Sequence, residues 1–257
     1  MAFKGIDVSR HNGVIDWAKV KADAVQFAMI RAGYGKGNID DKFTRNITEC
    51  NRLGIPCGVY WFSYAYTVEM AQNEAKAVLS AVKPYKLEYP IAFDFEDDSV
   101  SYASKNGVKI TKGLATNLVK AFCGEIEKNG YYAVNYANPN FLSNYFDPAL
   151  LKKYALWLAH WVSGDSPSQN CVMWQYSSTG KVNGISGSVD MNRGYVDFPK
   201  VIKEKGLNGF KKEEKKWYTD ALEWGIANGI TDGSNPEQPV TRAQVIVMLK
   251  RYHDKFF

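Results

Sequence analysis

Asp94-Phe95-Glu96 closes a short apolar run that begins at Pro90. On an extended strand, alternation puts Asp94 and Glu96 on one face and Phe93 and Phe95 on the other. At a rise of about 3.3 Å per residue, the two carboxylates stand roughly 6–7 Å apart at Cβ. Like charges that close resist ionising together, so one of the pair is expected to keep its proton to higher pH. A carboxylic acid protonated near neutral pH can protonate a leaving oxygen, the first requirement of glycoside cleavage. The same pair could equally be a solvated strand end or part of a metal site.

Two more carboxylates sit at expected strand ends: Asp7 in Gly5-Ile6-Asp7-Val8-Ser9, and Asp190 in Val189-Asp190-Met191-Asn192. Further strand ends carry Arg31 and Tyr34, Tyr60 and Phe62, Asn135 and Tyr136, His160 and Trp161, and Gln175 and Tyr176. These are the rings, amides and charges that line sugar-binding clefts, although each type also packs well in a core. Gln175 projects opposite to Trp174 and Tyr176, so one of those faces must look away from the site.

Strand-like and helix-like segments alternate through the first 200 residues. Strands are expected at Phe3–Val8, Phe27–Ala32, Pro56–Phe62, Pro90–Phe95, Tyr131–Tyr136, Ala155–His160, Val172–Tyr176 and Ser188–Met191. Helices are expected at Ile15–Ala22, Lys42–Leu53, Val68–Val82 and Lys112–Lys128, with shorter turns after Pro139 and Pro148. This alternation predicts an α/β fold with a parallel sheet. Eight strands suggest an irregular (β/α)8-type barrel whose second half has lost its helices. In a parallel barrel the first and last strands are neighbours and all strand C-termini open on one face. Asp7, Asp94, Glu96 and Asp190 would then share one mouth.

The chain has 257 residues, 46% hydrophobic and 23% charged, a profile that excludes disordered and low-complexity proteins. Its longest apolar stretches are strand-length, so no membrane span or membrane partner is expected. The net charge of +5 is diffuse and forms no arginine stripe, which argues against a nucleic-acid partner. Four scattered cysteines and three separated histidines predict reduced core thiols, no metal and no cofactor. The aromatic content is high: 16 Tyr, 13 Phe and 7 Trp, or 14%.

Texture changes after Phe210. The charge run Lys211–Lys216 reads as a linker or exposed helix start, so the boundary is placed between residues 1–208 and 209–257. Two amphipathic segments follow. Thr241-Arg242-Ala243-Gln244 reads as a capping box, leading a helix with Val245, Met248, Leu249 and Tyr252 as its apolar stripe. A small α-helical module with so little core should pack against the barrel or against copies of itself.

Taken in order, GIDVS, the strand ending in DFE, GVYWFSYA, NYAN, LWLAHW, WQYSS and VDMN resemble a glycoside hydrolase family 25 lysozyme over roughly residues 3–200. The resemblance implies a β-1,4-N-acetylmuramidase acting on bacterial peptidoglycan. It assigns Glu96 as general acid, Asp94 as its partner carboxylate, and Asp7 and Asp190 as a flanking acidic pair. Tyr60 and Gln175 fall in motif segments whose counterparts shape the saccharide groove; with Arg31, Tyr34, Phe62, Tyr136 and Trp161 from the strand ends above, they are the expected saccharide contacts. Asp94 could be a direct nucleophile or could orient the substrate's own 2-acetamido group. Other readings are a carbohydrate-binding barrel without turnover, or a chitinase-like barrel hydrolase. The presence of all four carboxylates weighs against the first, and the Asp7 and Asp190 motifs against the second.

Trp217–Arg251 resembles a single S-layer homology repeat, which implies binding of a secondary cell-wall polymer through Arg242, or homo-oligomerisation. Glutamine at Gln244 replaces that motif's acid, and only one repeat is present. The first ten residues contain no secretory apolar core. The chain is therefore expected to be made in the cytoplasm and to meet the wall on release, as a phage endolysin does.

Overall fold

The computed structural model describes residues 2–164, 167–211 and 216–257. Most of the Lys211–Lys216 charge run lies outside the described residues. The chain divides into two compact units, Met1–Lys212 and Glu213–Phe257.

The first unit runs β1 (Phe3–Val8), α1 (Trp17–Ala22), β2 (Phe27–Tyr34), β3 (Asn38–Ile39), α2 (Phe43–Leu53), β4 (Cys57–Phe62), α3 (Val68–Val82) and β5 (Ile91–Asp94). It continues with α4 (Asp97–Lys105), α5 (Lys112–Lys128), β6 (Ala133–Ala137), α6 (Pro139–Asn144), α7 (Pro148–Leu151), β7 (Ala155–Ala159), β8 (Met173–Gly180), β9 (Val189–Gly194) and α8 (Phe198–Lys205). The sheet order is β1-β9-β8-β7-β6-β5-β4-β2-β3, and an additional β1–β2 pairing closes eight strands into a barrel. The short β3 is a hairpin extension of β2.

Strand alternation divides the apolar residues into two layers. Ala28, Ile30 and Ala32 of β2, with Ile91 and Phe93 of β5, face the outer cluster that packs against the helices. Phe27 and Met29, with Ala92, Val134, Tyr136 and Trp157, fill the barrel interior. Gly5 stands in register with Phe27, and a Cβ there would lie 2.2 Å from the Phe27 ring. Its bare backbone lets Phe27 stack on Tyr89 at 4.4 Å inside the barrel.

The helices at Val68–Val82 and Lys112–Lys128 have the expected bounds. Thr67 and Thr111 cap them, each hydroxyl accepting from the backbone N–H three residues on. α1 begins two residues later than expected, because the Asp16 carboxylate accepts from the Lys19 N–H as its N-cap. The alternation did not reveal α4 or α8.

One expectation is corrected: the sheet is not wholly parallel. β9 pairs antiparallel with both β1 and β8. Only residues 181–188 separate β8 from β9, and a parallel return needs a crossover of a dozen residues or more. The chain must turn back as a hairpin.

The second unit contains α9 (Thr219–Ala227) and α10 (Arg242–Phe256). The capping box forms: the Thr241 hydroxyl accepts from the Gln244 N–H at 3.2 Å, and Gln244 Oε1 accepts from the Thr241 N–H at 2.8 Å. The apolar stripe of α10 is not buried by this unit: Leu249 is 62% exposed, and α10 has no buried residue. Trp224 stacks on Phe256 at 5.9 Å. Among the described residues, no helix is long and apolar enough to cross a membrane.

Candidate active site

Four elements deliver the acidic side chains. Asp94 is the last residue of β5, and Glu96 follows as the N-cap of α4, its backbone N–H donating to the Ser99 hydroxyl at 3.1 Å. Asp7 lies near the end of β1 and pairs in register with Asp190 of β9. Asp190 is near the start of its strand, not the end. Because β9 runs antiparallel, its start opens on the same mouth as the ends of β1 and β5. The expected convergence holds for a reason the parallel picture did not contain.

Asp7 and Asp94 are buried, while Glu96 and Asp190 are half-buried. Burial raises the proton affinity of all four, and repulsion from neighbouring carboxylates adds to it at Asp7, Asp94 and Glu96. The Asp7 carboxyl is pushed up to about 8, chiefly by burial and then by the Asp190 charge, against hydrogen bonds from Asn192 and Gln175. Burial also raises Asp190, which shares a hydrogen bond with Asp7. Asp94 is pushed well above the carboxylate range by burial and by Glu96. Glu96 is raised by burial, while its hydrogen bond with Asp94 pulls the other way. Within that pair the shared proton rests on Asp94.

An amide network fixes Asp7. Its Oδ2 accepts from Gln175 Nε2 at 2.9 Å and from Asn192 Nδ2 at 2.7 Å. Asn192 Oδ1 in turn accepts from the buried Trp157 indole at 2.8 Å. Gln175 Oε1 accepts from the Tyr136 hydroxyl at 3.2 Å and the Trp161 indole at 3.0 Å. Gln175 is therefore the inward residue of β8. Trp174 and Tyr176 take the other face, under the Arg193 guanidinium at 5.6 and 5.0 Å. Trp161 is 60% exposed, leaving ring surface at the rim.

Arg31 Nε donates to buried Asp40 Oδ2 at 2.7 Å, and Asp40 also accepts from the backbone N–H groups of Arg10 and Lys42. Tyr34 lies beside both guanidiniums, 5.4 Å from Arg10 and 5.8 Å from Arg31. Tyr60 and Tyr136 pack edge-on against Trp157 and feel the charges of Asp7, Asp94 and Asp190. Phe62 stands in register with Asp94. Asn135 takes the face of β6 opposite Tyr136, between Ala133 and Ala137 of the outer layer. His160 bonds Ser168 at 2.7 Å.

The sequence reading missed Asp40 and Asn192. Asn192 stands two residues beyond Asp190 and so shares its face, a signal the strand pattern contained. Among the described residues, no group of His, Cys, Asp and Glu is arranged to hold a metal ion. In the second unit, a cavity of about 920 Å³ is lined by Trp217, Trp224, Met248 and Arg251, among others. Arg242 does not line it.

A barrel with desolvated carboxylates and half-exposed aromatic rings at one mouth is the architecture of a glycoside-cleaving enzyme. Residues 6–185 match the model of glycosyl hydrolases family 25, and the chain belongs to that family. Lysozyme M1 of Streptomyces globisporus is 29% identical over 205 residues, covering 74% of this chain and 67% of that protein. The modular autolysin LytC of Streptococcus pneumoniae, solved with a synthetic peptidoglycan ligand, superposes with a TM-score of 0.67 at 31% identity. That match covers 76% of this chain and 47% of LytC, so the chain spans about half of that structure's length. A family 25 glycosyl hydrolase from Bacillus anthracis superposes with a TM-score of 0.64 at 27% identity, covering 76% of this chain and 89% of that one.

Proposed function

We propose that the chain is a peptidoglycan hydrolase that cleaves the β-1,4 bond between N-acetylmuramic acid and N-acetylglucosamine. The observation that carries this reading is the Asp94–Glu96 pair, two hydrogen-bonded carboxyls desolvated at the barrel mouth with raised proton affinity. The lysozyme and the peptidoglycan-bound autolysin among its relatives support the substrate class.

Glu96, the less buried of the two, has access to a glycosidic oxygen and acts as general acid. It gives its proton to the departing 4-oxygen as the bond to muramic C1 breaks. The pair's proton, which rests on Asp94, passes along their hydrogen bond to Glu96 for this step, leaving Asp94 a carboxylate that can accept from the substrate's 2-acetamido N–H. This favours capture of C1 by the substrate's own 2-acetamido oxygen, with Asp94 orienting that group. Water then opens the cyclic intermediate and returns its proton to Glu96. Asp190 supplies negative potential beside the developing positive charge, with Asp7, held by Asn192 and Gln175, as its hydrogen-bonded partner. Trapping a glycosyl–Asp94 adduct on a slow substrate would overturn substrate assistance.

Mass spectrometry of digested peptidoglycan tests the bond assignment. Reducing-end muramic acid is expected; reducing-end glucosamine or a released peptide stem would refute it.

For residues 209–257 the reading is a wall-associating or self-associating module, with a secondary cell-wall polymer or further copies of the chain as partner. Its support is the aromatic cavity and the exposed apolar side chains of α10. Action on the wall after release from the producing cell, as for an endolysin, accompanies this reading.

A further inference from the structure

Buried Glu74 takes no part in the chemistry above, yet its carboxyl is pushed up to about 8 by burial. It projects from α3 to the segment that follows β4. Ser63 Oγ lies 2.5 Å from Glu74 Oε2, and Glu74 Oε1 accepts from the Tyr64 N–H at 3.0 Å. Ser63 Oγ also accepts from the Ala65 N–H at 3.1 Å, and the Ser63 N–H donates to the Asp94 carbonyl at 2.7 Å. Residues 63–65 are thus pinned to α3 on one side and to the end of β5 on the other.

The pinning continues the alternation of β4 beyond its last residue. Trp61, Ser63 and Ala65 are buried, whereas Phe62, Tyr64 and Tyr66 are half-buried on the other face. Tyr102 of α4 joins them. Ring centroids lie 5.2 Å apart from Phe62 to Tyr64, 5.0 Å from Tyr64 to Tyr102, and 6.1 Å from Tyr102 to Tyr66. Each step is about the length of one pyranose ring. The row begins at Phe62, which pairs in register with Asp94. The positive φ of Gly35 belongs to a turn whose bare Cα lets Tyr64 settle against it, since a Cβ there would lie 3.1 Å from the Tyr64 ring.

We propose that Phe62, Tyr64, Tyr102 and Tyr66 form a glycan-binding row that extends the cleft away from the carboxylates, with Glu74 as the positioning residue that holds it. The inference rests on the peptidoglycan reading and adds to it a preference for long strands. Aromatic faces bind the apolar faces of sugars, and rings already packed against one another lose little freedom on binding. A buried carboxyl is costly unless its hydrogen bonds do something the fold needs, and here they order a surface row.

The test compares kcat/KM of the full chain on stem-free muramyl tetrasaccharide and on long stem-free glycan strands. The wild type should favour the long strands. Tyr64→Ala combined with Tyr102→Ala should raise KM on long strands by about tenfold, leaving kcat and tetrasaccharide cleavage unchanged. Glu74→Ala should reproduce that selective loss without removing a ring. Glu74→Gln, which keeps an acceptor for the Tyr64 N–H and a donor for Ser63, should restore long-strand KM. A wild type indifferent to length, or variants that lose both substrates in equal measure, would overturn the row while leaving the muramidase reading intact. A wild type that cleaves neither substrate would sink both.

Discussion

The helix-covered arc of the barrel, β2 to β6, and the barer seam of β7, β8, β9 and β1 each present a carboxylate pair, assembled by different means. On the covered arc, Asp94 and Glu96 come from one strand end and the helix that follows it. α3 and α5 pack behind them, and local backbone geometry sets their spacing. On the seam, Asp7 and Asp190 come from opposite ends of the unit and meet only because β1 and β9 pair. No helix backs the described residues of the 160–172 and 181–188 connections. An amide network takes over the work of holding a side chain in place. Covalent nearness can position a catalytic group with little help; distant partners need convergent hydrogen bonds, as Asp7 Oδ2 receives from Gln175 and Asn192.

The comparison breaks most readily at the covered pair. Glu96→Gln should lower turnover on the order of 10³-fold with folding unchanged, as removal of a general acid does. Near-normal activity would return the acid role to another carboxyl.

The seam makes a subtler prediction. Asp190→Asn removes a charge that raises the Asp7 pKa, and Asn192→Ala removes a hydrogen bond that lowers it. The limb of the pH–kcat/KM profile that reports Asp7 should therefore move to lower pH in the first variant and to higher pH in the second. Shifts in the same direction would show that Asn192 does not act through Asp7. Activity losses of about 10- to 100-fold are expected for each.

Stability carries the same signature. Glu74 and Asp7 bind protons more tightly when folded, each with a pKa of about 8 against ordinary values of 4.5 and 3.8. The native state then holds more protons than the unfolded chain between those limits, so stability falls as pH rises across them. Tm should be highest near the acid end of that window and decline by several degrees or more towards its upper edge. Glu74→Gln should flatten part of the slope in thermal scans; an unchanged slope would place the titration elsewhere.

The smallest effect is expected from removing residues 213–257. Cleavage of soluble fragments by residues 1–212 should stay within about twofold, because that unit contains both apolar layers described above. Retention on intact sacculi in a sedimentation assay should drop. Equal retention would mean that the second unit has no wall-associating role.

The covered arc was legible because its long helices α2, α3 and α5 carry their own apolar period. Val68–Val82 and Lys112–Lys128 were expected at their observed bounds, and Asp94-Phe95-Glu96 announced its face by alternation alone. The seam was less so. Alternation is the same for a strand running either way, and the direction of β9 was written only in the shortness of residues 181–188. Asp40, Glu74 and Asn192 were overlooked because a buried carboxylate or amide reads like any surface polar residue until its partner is known. For Asn192 that partner lies 185 residues away. The α10 stripe was expected to need a partner, and among the described residues of the second unit it stays largely exposed, with Trp224 packed against Tyr252 and Phe256.

The β1–β9 pairing also governs when the protein becomes an enzyme. Contacts between residues so far apart in sequence are slow to form, because the loop they close must lose its freedom before the contact repays it. Nearly the whole barrel must be synthesised and folded before Asp7 meets Asp190, Asn192 and Gln175. A nascent or half-folded chain already carries Asp94 and Glu96 side by side but has no second pair opposite them. On the proposed reading, catalytic competence coincides with ring closure, because the second carboxylate pair is assembled only when the last strand is in place.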